Sequence, residues 1–252
     1  MSKNNFNRNC SGQVIIVTAL IVALLLLSTA LYVIEVGKQV PTVSAETDVF
    51  FGYQHTARNT LISALANVTD GGNPTILGVD LGKLKAAILS NSYQTMLTID
   101  YSLLNASNYQ NGLWVSWGAN GLGVSSAYSS FRLESSSQSS TSNVEYDVNV
   151  TSTVKINGSY IQLNDTTKQV NLTITVANDG KAALAYDFIF SYRTASDWVL
   201  ADSPSVISSD NGTYTASFNA ETAQLNEPLV VSVHCQDGRG IFVGANVTCT
   251  ST

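Results

Sequence analysis

From Val14 to Ile34 the chain runs for 21 residues without a charge, and 14 of them are Leu, Ile or Val. As a helix rising ~1.5 Å per residue the run is about 31 Å long, which matches a hydrocarbon core of about 30 Å. At roughly −0.3 to −0.6 kcal/mol for each Leu, Ile or Val, insertion gains about 4 to 8 kcal/mol, and no ionised side chain opposes it. A helix lying on a soluble core carries a polar stripe, and this run has none. The run is expected to be a membrane segment or an export signal, so it constrains the place of the protein more than its chemistry.

The flanks give the orientation. Residues 1–12 carry Lys3 and Arg8 and no acid, whereas Glu35, Lys38, Glu46 and Asp48 follow the run. The positive bias puts the short N-terminus in the cytoplasm and, after one span, the rest of the chain outside. The formal charge is −6, and setting aside the +2 of residues 1–12 leaves −8 on residues 13–252. Such an acidic exterior argues against nucleic acid as a partner, since that needs clustered Lys and Arg.

Three processing outcomes fit the run. Ser28, Thr29 and Ala30 offer small residues for a signal-peptidase cut after Ala30, and an uncleaved signal anchor is the second outcome. The third rests on Gly12-Gln13. A polar, basic head ends in Cys10-Ser11-Gly12, and the apolar run begins directly after Gln13. Residues 8–40 resemble the class III signal sequences of archaeal archaellins and type IV pilin-like proteins. Ser11 stands where that family usually carries Lys or Arg, and Val17 where the bacterial members carry Glu. The resemblance implies cleavage after Gly12, retention of the apolar segment as an N-terminal helix, and self-association through that helix.

Beyond the run the chain solvates itself without charge. Charged residues make up 12%, against a usual share of about 25%, while Ser and Thr supply 55 of 252 residues. Eight Asn-x-Ser/Thr sequons follow the apolar run, at Asn67, Asn105, Asn149, Asn157, Asn164, Asn171, Asn211 and Asn246. These are the candidate N-glycosylation sites; Asn73 is excluded by Pro74. Six of the eight lie beyond residue 140, which makes the C-terminal half the expected glycan-bearing surface.

The fold expected from these patterns is α+β: an N-terminal transmembrane helix, a helical membrane-proximal region and a C-terminal antiparallel β-sandwich. Its divisions are a head or leader at 1–12, a transmembrane helix at 13–40, a region at 41–140, and an immunoglobulin-like sandwich at 141–252. Phe50, Tyr53, Ala57, Leu61, Ala64 and Val68 recur at helical steps, so 45–68 reads as an amphipathic helix closed by Asp70-Gly71-Gly72-Asn73-Pro74. A second helix is expected over 81–104, making a helical hairpin with the first. Trp114, Trp117 and Tyr128 lie among irregular strands and turns at 111–133, where a ligand platform and a capped hydrophobic seam both fit. The polar stretch 134–143 reads as a linker or long loop.

From about residue 144 the period becomes two. Val170, Leu172, Ile174 and Val176 alternate with polar residues, as do Tyr186, Phe188, Phe190 and Tyr192. Turn signals at Asn178-Asp179-Gly180, Asp210-Asn211-Gly212 and Asp237–Gly240 separate six or seven expected strands. If Asp237–Gly240 is a tight turn, Cys235 faces Phe242 and no bond to Cys249 forms; a longer loop centred on Phe242 would permit one.

No catalytic, cofactor or metal site is legible. The chain has two histidines, His55 and His234, both expected at solvent or an interface. It contains no nucleophile elbow, phosphate loop, dinucleotide fingerprint, zincin motif or calcium loop. Asp179, Asp210 and Asp237 are explained as turn residues, with weak Ca²⁺ binding as the alternative. The chain reads as a non-enzymatic surface protein of structural or adhesive type with an unknown ligand. A pilin-like filament subunit is the second reading, and an extracellular hydrolase the third.

Overall fold

The computed structural model describes residues 19–29, 43–91, 96–118, 120–136, 141–195, 197–222 and 227–252. They fall into two units, one ending at Gly52 and one covering Tyr53–Thr252.

In the first unit, residues 19–29 form helix α1. Leu20, Ile21, Val22 and Leu24 to Leu27 are each between 50% and 65% exposed, an apolar surface on every side of the helix. Its two hydroxyl side chains bond back to the helix itself: Ser28 Oγ donates to the Leu25 carbonyl, and Thr29 Oγ1 to those of Leu25 and Leu26. Among the described residues no helix is long and apolar enough to cross a membrane. The rest of the expected span 13–40 lies outside the described residues, as do Gly12, Gln13 and Cys10.

The second unit is α+β and β-rich. Among the described residues it holds the greater part of helix α2 (Val43–Thr69), helix α3 (Ile76–Asn91) and twelve strands. Ala57, Leu61, Ala64 and Leu65 form the fully buried stripe of α2. Gly71, at φ 89°, ends the helix, and its N–H donates to the Val68 carbonyl. Asn73 then caps α3, accepting from Thr75 N–H and Thr75 Oγ1 through Oδ1.

The second helix stops at Asn91, not at residue 104. Met96–Leu103 is instead a strand, β1, paired antiparallel to β3 (Leu122–Ser136). The alternation decides it: Leu97 and Ile99 are buried while Thr98 and Asp100 are exposed. The expected irregular strands at 111–133 are regular, with β2 (Leu113–Trp117) paired to β3. The flanks of the expected linker are strand as well, because β3 and β4 (Thr141–Gln162) pair out to Ser136↔Thr141. Residues 53–252 group as one unit, and residues 137–140 of the expected linker lie outside the described residues. Serine and threonine tolerate exposed strand as readily as a linker, so composition alone misleads there.

The 22-residue strand β4 organises the unit. Its first part pairs with β3, and its last part, from Ser152, with β5 (Thr167–Asn178). Its even-numbered residues Val148, Val150, Val154, Ile156 and Tyr160 all point inward. Beyond β5 the order continues to β10 (Thr213–Glu221) and the edge strand β9 (Ser205–Ser208). The short β6 (Lys181–Ala182) adds to β5.

A second run of strands, β8 (Trp198–Leu200), β7 (Ala185–Arg193), β11 (Leu229–Asp237) and β12 (Phe242–Ser251), joins the first where β12 meets β4 in parallel at Thr250↔Ser159 and Ser251↔Tyr160. One core unites the two runs: Ile156, Leu172, Ile174 and Phe218 pack with Phe190, Val231, Val233 and Val243. The rings of Phe188 and Tyr214 lie 4.8 Å apart across it, and those of Phe190 and Phe218 5.8 Å. Among the described residues nine strands follow residue 140, more than the six or seven expected, because β6, β8 and β9 are too short to show a period.

The last hairpin turns between Asp237 and Ile241, one residue longer than the expected tight turn, with Cys235↔Val243 and Leu229↔Cys249 as partners. At ~3.4 Å per residue the two cysteines are about 20 Å apart along the strand, and both are free and buried.

Candidate functional site

The outward faces of the sheet, not a cleft, hold the notable chemistry. On β3 and β4 the residues opposite the core form cross-strand rows, with Tyr128 beside Asn149 and Ser126 beside Thr151. Trp114 of β2 continues the second row, directly opposite Ser126. Tyr109, in the connection before β2, folds over this patch. Its hydroxyl lies 2.8 Å from Ser126 Oγ, and its ring is 5.8 Å from Trp114 and 6.2 Å from Tyr128, edge to face with both. The three rings are half-buried, and Asn149 is exposed.

Ser126 is fully buried beneath them and ties the patch together. Its hydroxyl bonds within 3.1 Å to Asn149 Oδ1, the Val150 carbonyl and Thr151 Oγ1. Thr151 Oγ1 also donates to Asn149 Oδ1 at 3.1 Å. Thr151 Oγ1 thus holds the amide oxygen of Asn149, and Ser126 shares its single hydroxyl proton between that oxygen and the Val150 carbonyl. Of the three expected aromatics, Trp114 and Tyr128 come together here, around Tyr109. Trp117 does not: it packs at 4.7 Å against His234.

A second outward face belongs to β4, β5, β9 and β10. Asn157, Ser159, Asn171, Thr173, Thr215 and Ser217 line a shallow groove there. Two sequons interlock within it, since Asn157 pairs with Thr173 and Ser159 with Asn171. Of the remaining sequons, Asn67 is exposed near the end of α2. Asn105 is exposed with its Oδ1 accepting from Asn111 N–H, and Asn164 is exposed with its Oδ1 closing a turn onto Thr166. Asn211 is exposed in a turn at φ 50°, while Asn246 is half-buried. Its backbone bonds to Gly118 and Gly121.

The acidic turn residues are committed to structure. Asp179 is paired with Arg58 and with Arg239 (3.0 Å), and accepts from Thr151 N–H at 2.8 Å. Burial pushes its carboxyl up, but the Thr151 N–H and the two guanidinium groups outweigh that and hold it below the usual carboxylate range. Asp237, fully buried, accepts from Arg239 N–H, Arg239 Nε and Ile241 N–H. Asp210 occupies a turn at φ 52°. Among the described residues no group of three His, Cys, Asp or Glu side chains could hold a metal.

Nucleophile chemistry is equally distant. Burial pushes both the Cys235 and Cys249 thiols up to about 12, far from the thiolate that attacks. His55 is exposed on α2 with Nδ1 3.2 Å from Asn59 Nδ2. His234 is half-buried, not at open solvent, and burial lowers its pKa.

Two features lie outside the readings made from the sequence. Tyr109 lies outside any strand, so its place over Ser126 has no periodic signal. Lys168 is fully buried, donating from Nζ to the Glu227 carbonyl at 2.6 Å and lying 4.4 Å from the Tyr160 ring centroid. Its signal was present: it shares parity with Val170 and Leu172, the buried positions of β5. The chain matches no family model, no curated protein and no solved structure.

Proposed function

We propose that the chain is a single-pass, membrane-anchored extracellular surface protein of structural or adhesive type, not an enzyme. The observation that carries this reading is the uncharged run Val14 to Ile34. Its described part, residues 19–29, supports it as a helix apolar on every side whose hydroxyls are satisfied internally. That is how a helix in hydrocarbon must treat its polar groups. With the N-terminus inside, residues 53–252 are carried outside the cell membrane. The core shared by β4, β5 and β10 with β7, β11 and β12 supports an immunoglobulin-like β-sandwich as the distal element. Its faces, rich in Ser, Thr and Asn, suit glycan addition and contact with other surfaces.

Carbonate extraction tests the anchor: the protein stays with the membrane pellet, and recovery in the soluble wash would reject it. A second reading, a pilin-like filament subunit, is favoured by the one bond between the basic head and the run, Gly12–Gln13. N-terminal sequencing of the membrane form separates the two. A chain beginning at Gln13 supports filament-type processing, and a chain keeping residues 1–12 excludes it.

A further inference from the structure

The cluster of Tyr109, Trp114 and Tyr128 shares one outward face with an exposed sequon asparagine, and we propose that it is the seat of an N-linked glycan carried by Asn149. The inference rests on the surface-protein reading, because only an exported chain meets the glycosylation machinery.

Four observations converge. Asn149 and Tyr128 are directly opposite across β3 and β4. Such pairs have Cβ atoms about 4.5–5.5 Å apart, so a pyranose joined to Asn149 Nδ2 reaches the Tyr128 ring. Its amide oxygen accepts from Thr151 Oγ1 at 3.1 Å and lies 3.1 Å from Ser126 Oγ, whose proton it shares with the Val150 carbonyl. That commits Oδ1 to the protein, and Nδ2, the atom that forms the glycosidic bond, makes no hydrogen bond among the described residues. Thirdly, β5 first pairs with β4 at Ser152↔Asn178, so Asn149 lies beyond the end of β5 and has no strand neighbour on that side. The Asn149 carbonyl there accepts from Arg58 Nη1 of α2 at 3.4 Å, while Asn149 itself stays exposed. Finally, the rings themselves are half-buried and form an edge-to-face set around Tyr109.

The chemistry is that of apolar C–H groups on a sugar face meeting the electron-rich face of an aromatic ring, while hydroxyls around the rim stay hydrated. Ser126 contributes by placement: fully buried, it anchors both the Tyr109 hydroxyl and the Asn149 amide. No other sequon asparagine has an aromatic partner directly across the strand; Asn157 and Asn171 face Thr173 and Ser159. Asn149 is accordingly the position where a glycan packs on the protein and does not merely project from it.

The test uses the full chain purified from its own membranes. Glycopeptide mass spectrometry is expected to find Asn149 occupied. Enzymatic removal of N-glycans is expected to lower the melting temperature by about 2–4 °C, the shift that a loss of about 1 kcal/mol gives in a unit of this size. Asn149→Gln should reproduce that drop, and removal of glycans from Asn149→Gln should then cost nothing more. Tyr128→Leu should cost more in the glycosylated than in the deglycosylated protein. If Tyr128→Leu fails to fold, the comparison of native with deglycosylated protein still decides. Asn149 found bare while other sequons are occupied overturns the proposal, and so does an unchanged melting temperature on deglycosylation. Binding of a free oligosaccharide by a chain bare at Asn149 would overturn it too, assigning the rings to a foreign sugar. If every sequon is bare yet external protease reaches residues 53–252 on intact cells, this proposal falls and the surface reading stands.

Discussion

Replacing Asp179 by Asn removes one charge from the point where α2, β4 and the β11–β12 turn are tied together. Asp179 receives Arg58 from the helix, Arg239 from the turn and Thr151 N–H from β4. The amide can still accept from Thr151, so the loss is confined to the two ionic contacts. The Arg58 side chain is 39% exposed and that of Asp179 32%, so solvent screens this pair to about 0.2–1 kcal/mol. Arg239 is only 16% exposed, and its charged hydrogen bond is worth roughly 1.5–3 kcal/mol before the same discount. The expected cost at neutral pH is about 2 kcal/mol, or a melting temperature lower by roughly 4–8 °C. The pH dependence carries a sign. Because the folded carboxyl is held below its ordinary range, its stabilisation is complete above the unfolded value of about 3.9 and is lost as pH falls through the lower folded value. Urea unfolding followed by tryptophan fluorescence at pH 7 and in steps from pH 5 to pH 2 measures both. Wild type and Asp179→Asn should converge as the pH drops. A difference below about 0.5 kcal/mol at pH 7, or one that persists unchanged at pH 2, refutes the assignment.

Other expectations test separate parts of the fold. Lys168→Met removes a fully buried ammonium while keeping its volume, so stability should hold or rise by about 1–4 kcal/mol; a loss beyond about 2 kcal/mol would show that its bonds outweigh its desolvation. Thiol labelling under native conditions should spare Cys235 and Cys249, and intact mass should not change on reduction at these two residues; a 2 Da increase from a bond between them would overturn the β11–β12 register. Gly123→Ala places a Cβ 1.8 Å from the Gly244 carbonyl oxygen, so the backbone must move, at an overpacking cost of about 1–3 kcal/mol by chemical denaturation; an unaffected variant would mean that β3 and β12 do not approach so closely.

Much of the fold was legible because burial leaves a period. The α2 stripe of Ala57, Leu61 and Ala64 and the β5 alternation of Val170, Leu172, Ile174 and Val176 read directly from spacing. Where polarity does the work of a strand, the reading failed. Ser135, Ser136, Ser142 and Asn143 look like linker, yet they pair across β3 and β4. The 81–104 helix failed for a related reason: Met96, Ile99 and Leu103 satisfy a helical step, while Leu97, Ile99 and Tyr101 equally satisfy a strand. Only the tertiary face chooses between them, here through the Tyr101 hydroxyl donating to the Gly78 carbonyl of α3. The site was half legible. Trp114, Tyr128 and Asn149 were each notable alone, but their meeting depends on the β2–β3–β4 register, and Ser126 and Tyr109 carry no pattern that marks them.

Protease treatment of intact cells, followed by mass spectrometry of what is released and what is retained, tests the central claim most directly. A surface protein with its N-terminus inside yields peptides from residues 53–252 in the medium, while the run Val14 to Ile34 stays in the membrane fraction. Full protection of residues 53–252 until the membrane is broken, or their cleavage only from the cytoplasmic side, contradicts the account.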